Sequence, residues 1–430
     1  MTGPLPDSRA ANRVTSCELQ ALNVMNLYEW VTGQVTKKSF ARKYLTAARA
    51  IGVKDAVYDE AQFAVLFDGD ASIDVAFLGN VYVRYCQTPR SRREAALREM
   101  VSARQGNRAA LEATPCGPDQ LLPVIRDRSH AWFTLMQLAE NIPGANFDAS
   151  RQIIGDDHAV SLVQDAPTAV RHVSARELDG LQITFTDALI QAGHNLRRVS
   201  GDRWRKIGTH VYLGDWGDGY ECSRILLPDL ICRLDLPGRP VALTPCDGTL
   251  LVSSDCSPEG QLALLRAALS AMDQAPRCIS AEMLVLDDGL WHTFVPDDAQ
   301  VLAQHHELHT RIRKSRYDQQ KAMLDRRAGE LNRRPYVANY MAYQGNEGVF
   351  SVATWSEGVE AWLPKADVIV FVRSAQGSEQ PGVIRVGWNI AFEYLGSYMI
   401  EVPDMIPERF HVVEFPSSSL LDQLSVAAPS

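Results

Sequence analysis

The sequence predicts an α+β protein built from four segments. These are a helical N-terminal hairpin over residues 1–55, a mixed α/β middle domain over 56–280, a connector with a long polar helix over 281–334 and a smaller β-rich C-terminal module over 335–430. Three observations favour this organisation: helical and strand-like patterns alternate from 121 to 275, a polar helical stretch spans about 298–328, and strand-like segments dominate from 336 to 415. A chain of 430 residues also exceeds the size at which a single hydrophobic core stops growing.

Three helices and a β-hairpin are predicted in the N-terminal quarter. Apolar residues at helical spacing indicate helices over residues 17–31 and 37–50, which we expect to pack as a helical hairpin. An Asp-Gly-Asp turn separates two apolar segments, 63–67 and 73–77, which is typical of a β-hairpin. A charged helix is expected from Pro89 to about residue 105, because proline is favoured at a helix start.

Strands and helices alternate through the middle of the chain. Strands are predicted at residues 159–163, 207–213, 241–244 and 250–253, and helices at 184–198, 220–234 and 258–272. This alternation indicates helices packed on a sheet.

Composition and charge limit the classes of partner and cellular location that the chain can have. The chain carries 43 Lys and Arg against 52 Asp and Glu, a formal charge of −9 that disfavours nucleic acid as a general partner. The polar N-terminus lacks the features of a signal peptide, and the apolar runs fall short of the roughly 18 residues that a membrane span needs. Eight cysteines spread thinly along the chain fit reduced thiols. We therefore expect a soluble, cytoplasmic protein without a membrane partner.

The HHELH segment is the most metal-like pattern in the sequence. His305 and His309 lie four residues apart, so a helix would place both imidazoles on one face. In a zinc protease motif the glutamate directly follows the first histidine ligand, and the second histidine comes three residues later. Here Glu307 follows His306, and Thr310 stands at the second ligand position. With no third ligand evident, we expect an exposed helix face that holds no metal, and we expect no cofactor.

Candidate nucleophiles lie in two stretches. The segment TWSEG matches the nucleophile elbow of hydrolases at Ser356 but has threonine in place of the first glycine. The segment RDRSH at residues 126–130 places Asp127, Ser129 and His130 close in sequence, although catalytic triads usually assemble from distant positions. Both stretches remain candidates for a dispersed active site, and both are also explained as turns.

Basic residues cluster on the predicted long polar helix. Arg313 and Arg316 lie with Arg311 and Lys314 beside Tyr317, an arrangement that can follow a nucleic-acid backbone. Acidic residues nearby and the acidic whole chain favour a solvated helix face instead.

Four segments of the middle domain resemble the YtpQ-like family, a group of uncharacterised bacterial proteins. They are LLPVIRDRS (121–129), DALIQAGHNL (187–196), GDGYECSRILLPDLI (217–231) and VALTPCDGTLLVSSD (241–255), and the resemblance covers about residues 56–275. It implies an α+β middle domain and transfers no catalytic residue. It directs attention to Arg126, Asp127, Asp218 and Tyr220. The simplest role of Arg126 is to fix the exit of a strand, and that of Asp218 is to cap a helix that begins near Tyr220. The C-terminal module lies outside the resemblance.

We expect a non-catalytic binding or regulatory protein whose partner is a protein. Every catalytic pattern above departs from its family at a required position, whereas modules joined by a polar helix suit partner binding. One alternative is a hydrolase or nucleotide-handling enzyme with a site assembled from dispersed residues. The other is a weak nucleic-acid binder.

Overall fold

The computed structural model describes residues 35–53, 56–59, 63–67, 74–113, 117–141, 150–166, 169–273, 275, 277–328, 335–346, 348–374 and 382–427. The chain divides into two compact units, residues 1–106 and 107–430. Helices and β-sheets occur in both units, so the predicted α+β class is confirmed. The helix predicted over residues 17–31 lies outside the described residues.

Helices and a three-stranded antiparallel sheet form the N-terminal part. The elements are α1 (Lys37–Ala50), β1 (Ala56–Asp59), β2 (Ala64–Phe67), β3 (Asp74–Phe77), α2 (Gly79–Gln87) and α3 (Arg93–Ala113). Helix α1 and the pairing of β2 with β3 confirm the predicted helix and hairpin, and β1 extends this sheet on the other side of β2. The residues after Pro89 form a single 3₁₀ turn before α3 begins, so that helix starts later than predicted.

Aromatic side chains fill the core of the first unit. The hydroxyl of Thr36 accepts a hydrogen bond from the Ser39 amide at 3.2 Å and caps α1. Phe40 and Tyr44 then lie one turn apart on the buried face of the helix. The ring of Phe40 lies 5.0 Å from that of Tyr85 on α2, so α1 is held by aromatic packing.

An antiparallel four-stranded sheet opens the second unit. Its strands and the helices that follow are β4 (Leu121–Asp127), α4 (His130–Asn141), β5 (Gln152–Ile154), β6 (His158–Ala166), β7 (Ala169–His172), α5 (Ala175–Gly180) and α6 (Phe185–Arg198). Strand β6 pairs with β4, β5 and β7. Helix α6 packs against β4, and its N-cap residue Thr184 accepts from the Asp187 amide at 3.1 Å.

A six-stranded antiparallel sheet follows. The elements are β8 (Trp204–Gly208), β9 (Val211–Gly214), α7 (Pro228–Ile231), β10 (Pro240–Leu243), β11 (Leu251–Ser254), α8 (Pro258–Met272), β12 (Leu284–Asp287) and β13 (Leu290–Thr293). The strand order is β13-β12-β10-β11-β9-β8, so this sheet continues beyond residue 280. Helix α8 packs on β9 and β11 through Leu264 and Leu265.

Two predictions in this region are wrong. The strand predicted at residues 207–213 is the hairpin of β8 and β9, which turns at Thr209 and His210, with His210 at φ 54°. The helix predicted at residues 220–234 is a short 3₁₀ turn followed by α7. Pro228 separates these pieces because it has no amide hydrogen and keeps the preceding Leu227 out of helical geometry.

The long polar helix is confirmed as α9 (Ala299–Ala328), but its faces are not all exposed. Its N-terminus is capped by Asp298, which accepts from the Gln300 amide at 2.9 Å. The helix packs against α8 and carries buried residues such as Leu308 and Tyr317. Polar side chains such as Gln320 are buried on this helix with hydrogen-bond partners, so its sequence looks polar although part of its surface is covered.

Two four-stranded sheets make up the C-terminal part. The elements are β14 (Tyr336–Val337), β15 (Met341–Gly345), β16 (Gly348–Ser356), β17 (Ala361–Pro364), β18 (Val368–Val372), β19 (Val383–Gly387), α10 (Trp388–Leu395), β20 (Ile400–Glu401), β21 (Arg409–Val412) and α11 (Ser418–Ala427). The sheet orders are β15-β16-β18-β19 and β14-β17-β21-β20. The strand-rich prediction is confirmed, whereas α10 and α11 were missed. Trp388, Ala391 and Leu395 of α10 are buried in the same core as Trp355 and Phe371.

Each helix in the described ranges is either too short or too polar to cross a lipid bilayer.

Candidate functional site

The end of strand β4 places charged residues on both faces of the first sheet of the second unit. Consecutive side chains of a strand point to opposite faces, so Arg126 and Asp127 enter different surroundings. We call these the arginine cluster (Arg126, Arg277, Asp247, His130 and His172) and the aspartate cluster (Asp127, Asp157, Arg316, Ser129 and Ser280). Helix α4 begins at His130 directly after β4.

The aspartate cluster is organised by Arg316 of helix α9. Its guanidinium Nη1 lies 2.8 Å from Asp157 Oδ1 and 3.0 Å from Asp157 Oδ2. Its Nε lies 3.8 Å from Asp127 Oδ1, and Nη2 donates to the Ile279 carbonyl. Burial by itself would lower the pKa of Arg316, but the carboxylates of Asp127 and Asp157 outweigh it and raise that pKa. Arg316 therefore stays charged between two carboxylates.

Two serine hydroxyls complete the aspartate cluster. The fully buried Ser129 donates through Oγ to Asp127 Oδ1, and Ser280 Oγ donates to Asp157 Oδ2 at 2.8 Å. Asp127 itself is 7% exposed. Each carboxylate thus has a charged and a hydroxyl partner, the arrangement expected of a buried ion-pair network.

A buried Glu282 supports the turn that carries Asp157. Its carboxylate accepts from the backbone amides of Asp156 at 2.7 Å and Asp157 at 2.9 Å, and it lies 3.0 Å from His158 Nδ1. Burial opposes ionisation of Glu282, but the hydrogen bond from His158 and the other donors lower the pKa of the carboxyl. The turn passes close to this carboxylate at Gly155, where a Cβ would collide with Glu282 Oε1.

The arginine cluster shares one carboxylate between two guanidinium groups. Asp247 lies in the turn after β10, with Oδ1 3.5 Å from Arg126 Nη1 and Oδ2 3.7 Å from Arg277 Nη1. Both distances exceed those of charge-assisted hydrogen bonds. Burial and the neighbouring Arg126 lower the pKa of Arg277, although Asp247 acts in the opposite direction. Arg126 Nε is buried and has no hydrogen-bond partner within the described residues.

Two imidazoles adjoin these arginines. The rings of His130 and His172 lie 6.1 Å apart. Burial lowers the pKa of His172 to about 4, with further lowering by Arg126 and Arg277, and burial and the same arginines lower the pKa of His130. Both histidines are therefore neutral at pH 7, so they add no positive charge to that of the two arginines.

The predicted residues of the β4 region converge, and others lie elsewhere. Arg126 and His130 join the arginine cluster, and Asp127, Ser129 and Arg316 join the aspartate cluster. Arg316 was predicted as part of a basic helix face, but its guanidinium is buried against Asp157.

Asp218 and Tyr220 lie on the loop before α7. Asp218 accepts from the Tyr220 amide at 2.9 Å and pairs with the buried Arg224, so it closes a turn and does not cap the helix expected to begin near Tyr220. Burial and the nearby Asp165 raise the pKa of the Tyr220 hydroxyl. Ser356 ends β16, and its carbonyl accepts from the Val359 amide at 3.2 Å, as a turn residue does.

The HHELH histidines are partly buried, so the expected exposed face is corrected. His305 Nε2 lies 2.9 Å from the Ala281 carbonyl, and burial lowers the pKa of His305. Burial and the neighbouring Arg313 lower the pKa of His309 to about 3. Within the described residues, no group of three or more histidine, cysteine, aspartate or glutamate side chains could hold a metal ion.

Arg277, Asp247, His172 and Glu282 were missed as site residues. The only signal for Asp247 was the Cys-Asp-Gly turn inside the segment that resembles the YtpQ-like family. Arg277, His172 and Glu282 lie in stretches without a motif, so spatial proximity alone reveals them.

No family model, curated protein or solved structure matches this chain. The resemblance to the YtpQ-like family over about residues 56–275 therefore stays a prediction.

Proposed function

We propose that the second unit is a non-catalytic binding module whose arginine cluster holds an anionic oxygen group, a carboxylate or a phosphate, of a protein partner. The observation that carries this proposal is Asp247, which lies 3.5 Å and 3.7 Å from two guanidinium groups without a close hydrogen bond to either. Guanidinium groups bind carboxylate and phosphate oxygens in a bidentate manner. The N–H group at Arg126 Nε has no acceptor within the described residues, so it can donate to such an oxygen.

The electrostatic surroundings support an anion at this position. Arg126 and Arg277 lie near each other in a partly buried place, where an incoming anion is stabilised by the guanidinium groups more than in water. Binding would also favour protonation of His130 and His172, which adds to the attraction at lower pH.

The geometry of the serine and histidine candidates supports a binding role over catalysis. Ser129 donates a hydrogen bond to Asp127, and Asp127 lies beside Arg316, so this carboxylate is engaged in a buried ion-pair network. The lowered pKa of His130 makes its imidazole a weak base.

The test is calorimetric titration of the full-length protein with inorganic phosphate, sulfate and acetate, each as a separate probe. We expect saturable binding that Arg126→Gln and Arg277→Gln weaken by about tenfold or more, because each removes a charged donor. Arg128→Gln is the matched control, since Arg128 is exposed and its guanidinium makes a long hydrogen bond of 3.5 Å to the Asp156 carbonyl.

Three outcomes separate the possibilities. Preference for phosphate and sulfate indicates a phosphorylated partner, and equal or stronger acetate binding indicates a carboxylate. Absence of saturable binding, or an equal effect of Arg128→Gln, contradicts the proposal. Urea unfolding of each variant identifies any loss of binding that follows from misfolding.

We further propose a cytoplasmic location and membership of the YtpQ-like family. Free thiols support the first: Cys86, Cys222, Cys232, Cys246, Cys256 and Cys278, the cysteines of the described ranges, are unpaired. The quoted segments around β4 and β10 support the second. Fractionation of cells that produce the tagged full-length chain tests the location.

A further inference from the structure

A cleft of about 330 Å³ lies on the six-stranded sheet, and its lining includes no member of either charged cluster although Gly248 adjoins Asp247 in the chain. Leu213 of β9, Leu251 of β11 and Ala267 of α8 form its apolar wall. Glu221 and Thr249 contribute its polar side, and Arg205 and Asp215 lie at its edge. This volume falls in the lower range of small-molecule sites, which combine apolar and polar lining groups.

Glu221 has an unusual environment at this cleft. The residue is 4% exposed, and its Oε1 accepts from the Gly217 amide at 2.7 Å. Its Oε2 is buried and has no hydrogen-bond partner within the described part of the chain. A buried carboxylate oxygen without a donor is costly, and nearly all such atoms in native proteins are satisfied. A donor from outside the chain would complete this group.

The backbone beside Glu221 leaves room for such a donor. Gly248 has φ 73°, and a Cβ at this position would lie 3.7 Å from Glu221 Oε2. The glycine therefore keeps a side chain away from the oxygen. The neighbouring Thr249 lines the same cleft, and its hydroxyl and carbonyl accept from the thiols of Cys246 and Cys222.

The charges around the cleft favour a cation. Arg205 Nε lies 3.7 Å from Asp215 Oδ2, so the arginine at the edge already faces a carboxylate. Within the described residues, Glu221 has no ion-pair partner. A metal ion would need several oxygen or nitrogen ligands, whereas a single unpartnered oxygen beside aliphatic carbons suits an ammonium group with an apolar chain.

We propose that this cleft binds a small organic amine in its protonated form. The ammonium group donates to Glu221 Oε2, and the hydrocarbon chain lies on Leu213, Leu251 and Ala267. The site is independent of the arginine cluster, whose ligand carries the opposite charge.

The test uses hexylammonium as the probe, with hexanol and hexanoate as neutral and anionic analogues, in calorimetric or NMR titrations of the full-length protein. For a ligand of this size we expect a dissociation constant of about 1 mM. Glu221→Gln should weaken hexylammonium binding by about tenfold or more, because the charge is lost while Oε1 still accepts from Gly217. Glu259→Gln, at an exposed position of α8, is the matched control and should leave binding unchanged.

A second variant tests the apolar wall. Ala267→Leu fills the cleft with a residue of high helix propensity and keeps Glu221, so it should also weaken hexylammonium binding by about tenfold. Both variants should unfold cooperatively in urea, and Glu221→Gln should be at least as stable as the wild type because it removes an unpaired buried charge.

The proposal is overturned if hexylammonium does not saturate the wild type, if Glu221→Gln binds it equally, or if hexanol or hexanoate binds as tightly. Arg126→Gln should retain hexylammonium binding. Failure at this cleft is therefore distinguishable from failure of anion binding at the arginine cluster.

Discussion

The backbone of Gly155 adopts a left-handed conformation, with φ 58°, beside the buried carboxylate of Glu282. Gly155→Ala should lower the free energy of unfolding by about 2 kcal/mol or more, because the methyl group adds a collision with Glu282 to the strain of this conformation. Urea unfolding of the two proteins measures the difference.

Gly201→Ala is the control for this substitution. A Cβ at Gly201 would have no neighbouring atom within 4 Å. The free energy of unfolding of Gly201→Ala should therefore differ from that of the wild type by less than about 0.5 kcal/mol. Equal effects of the two substitutions would contradict the proposed role of the Gly155 turn in seating Glu282.

His172 makes stability depend on pH. Burial and the adjacent Arg126 and Arg277 lower its pKa in the folded protein to about 4, below the ordinary value of 6.5. Between these values the unfolded chain binds more protons than the folded chain, so the free energy of unfolding falls as pH is lowered from about 6.5 to about 4. Above about pH 6.5, His172 is neutral in both the folded and the unfolded chain, so its titration no longer lowers the free energy of unfolding.

His172→Gln removes this titrating group and should make the fall shallower over that pH range. Urea unfolding of the wild type and the variant at several pH values measures the two slopes. Identical slopes would show that the fall arises from other groups, such as His309, whose folded-state pKa is about 3.

At the level of secondary structure, α9 is a central element of the second unit. One side of the helix packs against α8 and β16, and its polar residues reach distant parts of the chain. Tyr317 donates to the Glu408 carbonyl at 2.8 Å, and Gln320 donates to the Pro407 carbonyl at 2.7 Å. The helix is therefore held by buried polar contacts as well as by apolar ones.

Among the buried polar contacts of α9, that of Arg316 is the one whose loss we expect to destabilise the protein most. Arg316→Met should lower the free energy of unfolding by about 3 kcal/mol, because Asp127 and Asp157 lose the cation that compensates them. Arg316→Lys should cost less, since it keeps the charge but not the paired donors. Chemical unfolding of both variants measures the order.

Arg311→Gln on the exposed side of the same helix is the control. Arg311 lies 3.6 Å from Glu307 and 3.8 Å from Asp273, and exposed pairs of this kind contribute little. The free energy of unfolding of Arg311→Gln should differ from that of the wild type by less than about 0.5 kcal/mol. A comparable loss in Arg311→Gln and Arg316→Met would argue against the aspartate cluster as a buried ion-pair network.

Over the whole molecule, elements with strong local signals were predictable. Helix α8 has the predicted bounds, 258–272, because Ser257 caps it, Pro258 opens it and apolar residues follow at helical spacing. The strand predicted at 207–213 and the helix predicted at 220–234 are wrong because a turn at His210 and the proline at Pro228 interrupt them. There a local break in backbone geometry outweighs the apolar pattern.

The candidate site was predictable only in part. The segment RDRSH contributes Arg126 and Asp127, since neighbours on a strand necessarily reach the two faces of its sheet. Their partners Asp247 and Arg316 come from a turn and a helix far along the chain. Hydrophobic spacing carries no information about which charged groups meet at such distances.

From its sequence alone, this chain was established as an α+β protein with a long polar helix and a strand-rich C-terminal part, because those features depend on residues a few positions apart. Folding was required to join Asp157 to Arg316, to place Asp247 between two arginines and to bury Glu221 Oε2 where no described residue donates to it. Such contacts depend on the packing of distant segments and on the cost of burying unpaired charge, neither of which is visible in a local pattern.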